Sequence, residues 1–436
     1  MKKICLFFVF LTLFCTMTGF AGGGQQGSQG NSITLTVWDE YADNEMRDAI
    51  EQITKLFMEK NPGIKVERVA KTTTVMLNTL RPAFMGGDAP DIIETEVGIG
   101  YIGPFIRANY IMDLTEAWKT YGWDSKLAAA SKQIPTVGNM TYGVGHELEA
   151  MSCYYNKTKF AELGLKIPTT AAEMTDMLQK IKDAGYLPLT NYMTEEWSSN
   201  MNTVGTFMYG FMSKEEIESC MNNDGPWNLP SVKNAISCLE DWLAKGFFPR
   251  NPEVGGDNAA DAFYQEQALV VITGNWSIGG IERVVGNKFE TGIFSFPSGT
   301  AGRKASQVNF CGSGYMINNQ SKNREAALKY VDFVLASPET AKIWYEVGKV
   351  IPPYTGNISG LKVSPLTQLV QQSLNDSAIN NTAGINMWLP PSAFEFFSHA
   401  GQRIIMKRLN HDSFINELQQ AYDTDRTAKA TRATFN

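Results

Sequence analysis

Residues 142–156, YGVGHELEAMSCYYN, decide how the rest of this chain is read. The stretch reads as a strand, a kink at Gly143 and Gly145, and a second extended run. Along an extended run, residues two apart share a face. Glu147 and Glu149 therefore point the same way, with Ala150 and Ser152 nearby and Tyr154 and Tyr155 behind. Two carboxylates on one face make either a solvated edge or the floor of a polar cleft. Acids are mostly exposed, so the edge is the ordinary reading. The context shifts that balance: residues 159–185, KFAELGLKIPTTAAEMTDMLQKIKDAG, open a second α/β unit. The acidic segment thus stands where one such unit ends and the next begins.

Upstream, ITLTVW at 33–38 alternates as a strand, with Leu35 and Val37 on one face. Met46, Ile50, Ile53 and Phe57 then recur on one face of a helix, which Asn61-Pro62-Gly63 stops. IKVERVA is a strand, and Met76, Leu80 and Phe84 mark a helix whose last turn contains Pro82. DIIET is a short buried strand. Strand and helix alternate as in parallel βαβ units. Downstream, Met174, Met177, Leu178 and Ile181 form a helix face, LPLTNY a strand, ALVVIT a buried strand, and TGIFSFP another. Residues 307–318, QVNFCGSGYMIN, run extended with Gly312 and Gly314 inside. Two helices split by Pro338 come next, then the stiff connector IPPY at 351–354 and a mostly helical remainder.

The 436 residues suggest two or three domains, and 43% apolar content suffices for a large core. A net charge of −7 argues against nucleic acid and anionic membrane surfaces as partners. Lys2 and Lys3, an apolar run from Ile4 to Phe14, and Gly19-Phe20-Ala21 read as a signal peptide over 1–21, so an exported protein is expected. A flexible linker covers 22–32. Lipidation of Cys15, giving a cell-surface anchor rather than a free periplasmic protein, stays open as the alternative. Cys153, Cys220, Cys238 and Cys311 are too few for a disulfide framework, although one bridge between Cys220 and Cys238 stays open. His146, His399 and His411 are the only histidines, so neither a metal site nor a cofactor is expected.

Ligands on open α/β sheets bind beyond the C-terminal ends of strands. Three strands here end in Trp38-Asp39-Glu40, Glu94-Thr95-Glu96 and Gly274-Asn275-Trp276. With Glu147 and Glu149 they make a set of carboxylates, amides and indoles suited to a sugar, whose hydroxyls donate to carboxylates and whose C–H faces stack on aromatic planes. Paired carboxylates also suit a secreted carbohydrate-active hydrolase. Yet Glu147 and Glu149, with Cβ atoms about 7 Å apart on one strand face, stand on one side of a ligand rather than flanking it. No nucleophile elbow, phosphate loop or zinc-protease motif is present, and no residue is assigned as catalytic.

The chain resembles an extracellular solute-binding protein of the carbohydrate-uptake type that feeds an ABC importer, similar in layout to maltose-binding proteins. The resemblance is carried by TVWDEY, FMEKNPGIKVE, GGDAPDII, NYIMDLTEAW, the 141–174 run, QALVVITGNWSIGG, IFSFPSG and the run from GSGYMINNQ to VIPP. Gly145 stands where the family usually has Pro, and Ala171-Ala172-Glu173 where it often has Trp-Asp-Glu. The resemblance implies an α/β fold of two lobes with a hinge and an interlobe ligand cleft. Lobe one would be 33–146 plus 312–350, lobe two 147–311 plus 355–436, and 351–354 a third hinge segment. Gly312 and Gly314 suit a hinge strand because glycine tolerates large dihedral changes. By position, Glu40, Glu94 and Glu96 would edge the cleft in lobe one, Glu147 or Glu149 would enter from the crossover, and Asn275 and Trp276 from lobe two. Trp197 and Trp388 are further stacking candidates. The implied partners are a small carbohydrate and the membrane permease of an ABC transporter, and the protein is expected to act as a monomer.

Overall fold

The computed structural model describes residues 32–42, 44–191, 203–249, 259–300, 302–376, 380–382 and 384–431. The segment 1–21, the linker up to residue 31, and Trp197 lie outside the described residues. Its strands are β1 (Ile33–Asp39), β2 (Ile64–Ala70), β3 (Ile92–Glu96), β4 (Thr136–Val137), β5 (Met140–Thr141), β6 (Val144–Gly145), β7 (Glu149–Asn156), β8 (Leu187–Asn191), β9 (Ala268–Gly274), β10 (Thr291–Phe294), β11 (Ser306–Phe310), β12 (Ser313–Ile317) and β13 (Asn380–Thr382). The first three helices are α1 (Asn44–Lys60), α2 (Thr73–Gly86) and α3 (Ile99–Arg107).

Two sheets organise the molecule. The first has the order β2-β1-β3-β12-β6, with β1 parallel to both β2 and β3 and with β12 antiparallel to β3. The second has the order β13-β11-β7-β9-β8, and β10 pairs with the C-terminal half of β7. The expected apolar spacing places Ile50, Ile53 and Phe57 of α1 in the first sheet's core, beside Leu35, Val37, Ile92 and Tyr315. In the second sheet, β9 is buried at every position and β7 at all but Tyr155. That pattern of a strand covered on both faces explains why ALVVIT and AMSCYY read as continuous runs rather than alternations. Pro82 does not end α2, which continues through it to Gly86.

The chain passes between the sheets at three places. The first is 146–148, between β6 and β7. The second is the two-residue step Cys311-Gly312 between β11 and β12. The third lies around Ile351–Tyr354, where Leu148 N–H donates to Ile351 O at 2.8 Å and Ala128 N–H to Pro353 O at 2.8 Å. Gly145 and Gly314 face each other in the register of β6 and β12. A Cβ on Gly314 would stand 2.5 Å from Val144 O, and one on Gly145 would stand 2.5 Å from Cys311 Cβ. Both glycines are therefore required by close approach. Neither Gly312 nor Gly314 is among the residues of positive φ.

Helices near the C-terminus contact both halves. Phe394, in the helix Pro391–Ile405, packs so tightly on Gly100 of α3 that a Cβ there would come within 2.5 Å of its side chain. Cys220 and Cys238 are free thiols, which removes the bridge left open by the sequence. Cys220 Sγ instead donates to Pro226 O at 3.2 Å. Among the described residues no helix is long and apolar enough to cross a membrane, and no group of side chains has the makings of a metal site.

Candidate functional site

Between the two sheets lies a cavity of about 560 Å³. Its wall on the first sheet's side comes from the ends of β1 and β3 and from the starts of α1 and α2. Glu40, Tyr41, Glu94 and Glu96 extend from strand ends, and Thr72 to Val75 from the start of α2. The opposite wall holds Tyr264, Trp276, Ser277, Gly280 and Arg283, and the crossing segments supply His146, Glu147, Glu149 and Ser313. The run KTTTV explains one part of this locally. Thr72 is extended at φ −72° and ψ 156°, and its Oγ1 accepts from Val75 N–H at 3.4 Å, which caps α2 directly after β2.

Five glutamates converge here, and the backbone holds several of them. Glu94 Oε2 accepts from Glu40 N–H at 2.9 Å. Glu40 accepts from Thr73 Oγ1 at 2.9 Å and also from Thr95 Oγ1. Glu149 Oε1 accepts from the N–H groups of Gly312 and Ser313 at 3.0 and 3.2 Å, so the second crossing is fastened to the first. Glu147 Oε1 accepts from Asn275 Nδ2 at 2.8 Å. The Glu96 carboxyl group has no hydrogen bond to the described residues, while its backbone pairs with Ser313 in the sheet. His146, 2% exposed, places Nδ1 3.0 Å from Ser313 Oγ, while its Nε2 finds no hydrogen-bond partner there.

Burial dominates the electrostatics. It pushes Glu40 up to about 7 and Glu149 up to about 8, against the hydrogen bonds that favour their ionised forms. Glu94, Glu96 and Glu147 are raised well above the usual carboxylate range, by burial first and then by neighbouring carboxylates. Burial also lowers His146 to about 3, so its imidazole is neutral. Asp39 is separate from this group: its two oxygens take a bidentate pair from Arg68, each bond 2.7 Å.

The structure brings together Glu40, Glu94, Glu96, Glu147, Glu149 and Trp276. Three other candidates stand elsewhere. Trp38 is half-buried beside the α2 side chains with Lys71 Nζ 4.1 Å from its ring, outside the cavity lining. Asn275 is fully buried, and its amide is engaged within the protein: Oδ1 accepts from Ala150 N–H at 2.6 Å, and Nδ2 donates to Glu147 Oε1 and, at 3.1 Å, to Leu148 O. It therefore positions the crossover rather than reaching into the cavity. Trp388 is 3% exposed within the main apolar core. Sequence reasoning missed His146, Tyr264, Arg283 and Ser313. The α2 cap was findable from its Thr run after a strand, whereas Tyr264 and Arg283 depend on the closeness of two distant helices.

A second hollow, of about 620 Å³, is lined by Asp224, Pro226, Asn228, Gln419 and Arg426 among others. Its central amide, Gln419, already donates to Asp224 O at 2.9 Å and accepts from Trp227 N–H at 3.3 Å. The convergence of carboxylates and an indole marks the first cavity as the candidate site.

A family profile described as bacterial extracellular solute-binding protein matches residues 43–341. The "Multiple sugar-binding protein" of Streptococcus mutans serotype c is 27% identical over 363 residues, covering 80% of this chain and 81% of that one. The "Maltooligosaccharide ABC transporter solute-binding lipoprotein" of Streptococcus pneumoniae is 24% identical over 379 residues, covering 83% and 84%. A solved structure described as "Chitin oligosaccharide binding protein" superposes with a TM-score of 0.81 at 19% identity, covering 91% of this chain and 100% of the other. That likeness shows a shared two-lobed α/β fold.

Proposed function

We propose that this chain, which belongs to the bacterial extracellular solute-binding protein family, captures a sugar or short oligosaccharide between its lobes and delivers it to the permease of an ABC importer. The observation that carries the reading is the interlobe cavity itself, lined by Trp276, whose indole suits stacking on a sugar, and by carboxylates that accept from hydroxyls. The named relatives, two of which are described as binding sugars or maltooligosaccharides, support it. Lobe one is taken as 33–146 with 312–350, lobe two as 147–311 with 355–436, and 351–354 as the third hinge segment. Of the residues expected from sequence, Glu40, Glu94, Glu96, Glu147, Glu149 and Trp276 are proposed to face the ligand.

The protein is proposed to bind without catalysis and to act as an exported monomer, either free or anchored at the cell surface through Cys15. Support for binding alone comes from Glu147 and Glu149, which both enter from one crossover segment rather than flanking a bond between them. A thermal-shift screen of the protein against a panel of mono- and oligosaccharides tests the reading, since a ligand bound only by the native state raises the melting temperature by mass action. A concentration-dependent rise with at least one saccharide is expected. Stabilisation by amino acids or peptides alone, with no saccharide active, overturns it. Products released from that saccharide, detected by mass spectrometry and abolished by Glu147→Gln, overturn the non-catalytic part.

A further inference from the structure

The cavity combines two features whose conjunction is chemically specific. It holds five glutamates from lobe one and the crossover, namely Glu40, Glu94, Glu96, Glu147 and Glu149. Among the described residues its lining contains a single cationic side chain, Arg283, which sits at the rim and is paired with Glu45 at 2.7 Å. Among those residues no lysine or arginine reaches the glutamates from within. The starts of α1, α2 and the helix Ile278–Val285 meet the cavity too. Each helix start is equivalent to only about half a positive charge, so the acidic surplus persists.

Two side chains show that this arrangement is not internally complete. The Glu96 carboxyl group has no hydrogen bond to the described residues, and burial first, then its neighbours Glu149, Glu40 and Glu94, raises its protonation. His146 lines the same cavity, 2% exposed, with a neutral ring and an unpartnered Nε2. A buried polar atom without a partner, such as His146 Nε2, costs stability. The cavity thus holds five carboxyl groups against one cation, with a buried ring nitrogen left unpartnered.

The geometry points to a saccharide bearing a free ammonium group, an amino sugar rather than its neutral or N-acylated counterpart, as the ligand class of this site. The inference rests on the carbohydrate reading and narrows it. An ammonium supplies three donors and no acceptor on a sugar frame whose remaining hydroxyls suit Thr73, Ser277 and Ser313. It also takes the place of the protons that burial and mutual repulsion otherwise hold on these carboxyls. Bound against the glutamates, it favours their ionised forms, so protons held by these carboxyls leave on binding. The titratable groups facing that exchange are the five glutamates, His146, Tyr41 and Tyr264, with the Glu45–Arg283 pair at the rim.

Isothermal titration of the full chain with matched pairs tests the inference. The pairs are glucosamine against glucose and N-acetylglucosamine, galactosamine against galactose, and the β-1,4-linked glucosamine dimer against cellobiose and diacetylchitobiose. The amine of at least one set is expected to bind tighter than its neutral partners by on the order of tenfold or more, the margin of a charge-assisted over a neutral hydrogen bond. Its heat of binding should vary with buffer ionisation enthalpy, as proton release requires. Glu96→Gln should cut that preference without lowering the melting temperature, because it removes no internal hydrogen bond, and Glu149→Gln provides a second carboxylate variant. Equal or tighter binding of the neutral partners overturns the inference and leaves the carbohydrate reading standing. Binding by no amino sugar also overturns it. Binding of putrescine or spermidine with no saccharide active overturns both.

Discussion

Arg283 Nε donates to Glu45 Oε1 at 2.7 Å, and this pair joins the start of α1 to the helix Ile278–Val285 across the rim of the cavity. Glu45 packs closely enough on the opposite lobe that a Cβ on Gly279 would stand 2.6 Å from its Oε2. The Arg283 side chain is 60% exposed and Glu45 19%, so solvent screens the pair. Exposed pairs contribute about 0.2–1 kcal/mol. Arg283→Ala should therefore change ligand affinity by less than about fivefold, while small-angle scattering of the ligand-free protein shows a larger radius of gyration. A much larger loss of affinity would make Arg283 a ligand contact instead.

Trp276 lines the cavity half-buried, with its ring folded over Gly274, where a Cβ would meet it at 1.9 Å. Stacking a sugar on an indole is worth on the order of 1–3 kcal/mol. Trp276→Ala should weaken binding about tenfold or more and lower the apo stability by no more than about 1 kcal/mol. Gly274→Ala should displace the same ring and weaken binding with the indole still present. A loss of several kcal/mol in unfolding free energy, with affinity kept in the folded fraction, would return Trp276 to the core.

The carboxylate cluster also sets a pH dependence. Glu149 is raised from 4.5 to about 8 and Glu40 from 4.5 to about 7, chiefly by burial. Between those limits the folded protein binds more protons than the unfolded chain, so stability falls as pH rises. The melting temperature of the ligand-free protein should decline from about pH 5 to about pH 8. Glu149→Gln should flatten the upper part of that decline, since Gln keeps an acceptor for Gly312 and Ser313. A stability that rises across this range in the wild type would contradict the burial of these groups as ionisable carboxylates.

The βαβ order and the crossover are legible in the sequence because they rest on local periodicity. The spacing of Ile50, Ile53 and Phe57, and the paired Glu147 and Glu149, carry their own signal. Trp38, Asn275 and Trp388 differ in kind. Their positions at strand ends or in a Pro-flanked loop suggest a cleft, but the direction of a side chain there is set by neighbours far away in sequence. Lys71 covers Trp38, Ala150 and Glu147 take both ends of Asn275, and the main core encloses Trp388. Gly145 and Gly314 stand out in the sequence too, yet the reason is the contact of two strands from separate parts of the chain, which no local pattern encodes.

Cys153, Cys220 and Cys311 are buried and Cys238 is half-buried, all of them unbridged. Denaturation without reductant and subsequent thiol titration should find all four reactive, with Cys153 and Cys311 unreactive while the protein is folded. A pair that becomes reactive only after reduction would contradict the free state.

The central claim is that the interlobe cavity grips a carbohydrate. Its most direct measurement is a crystal structure of the protein with the saccharide that stabilises it most. The account predicts density for the sugar between Glu40, Glu147 and Glu149 on one side and Trp276 on the other. Density in the hollow beside Asp224 and Gln419, with the interlobe cavity holding only water, would contradict it.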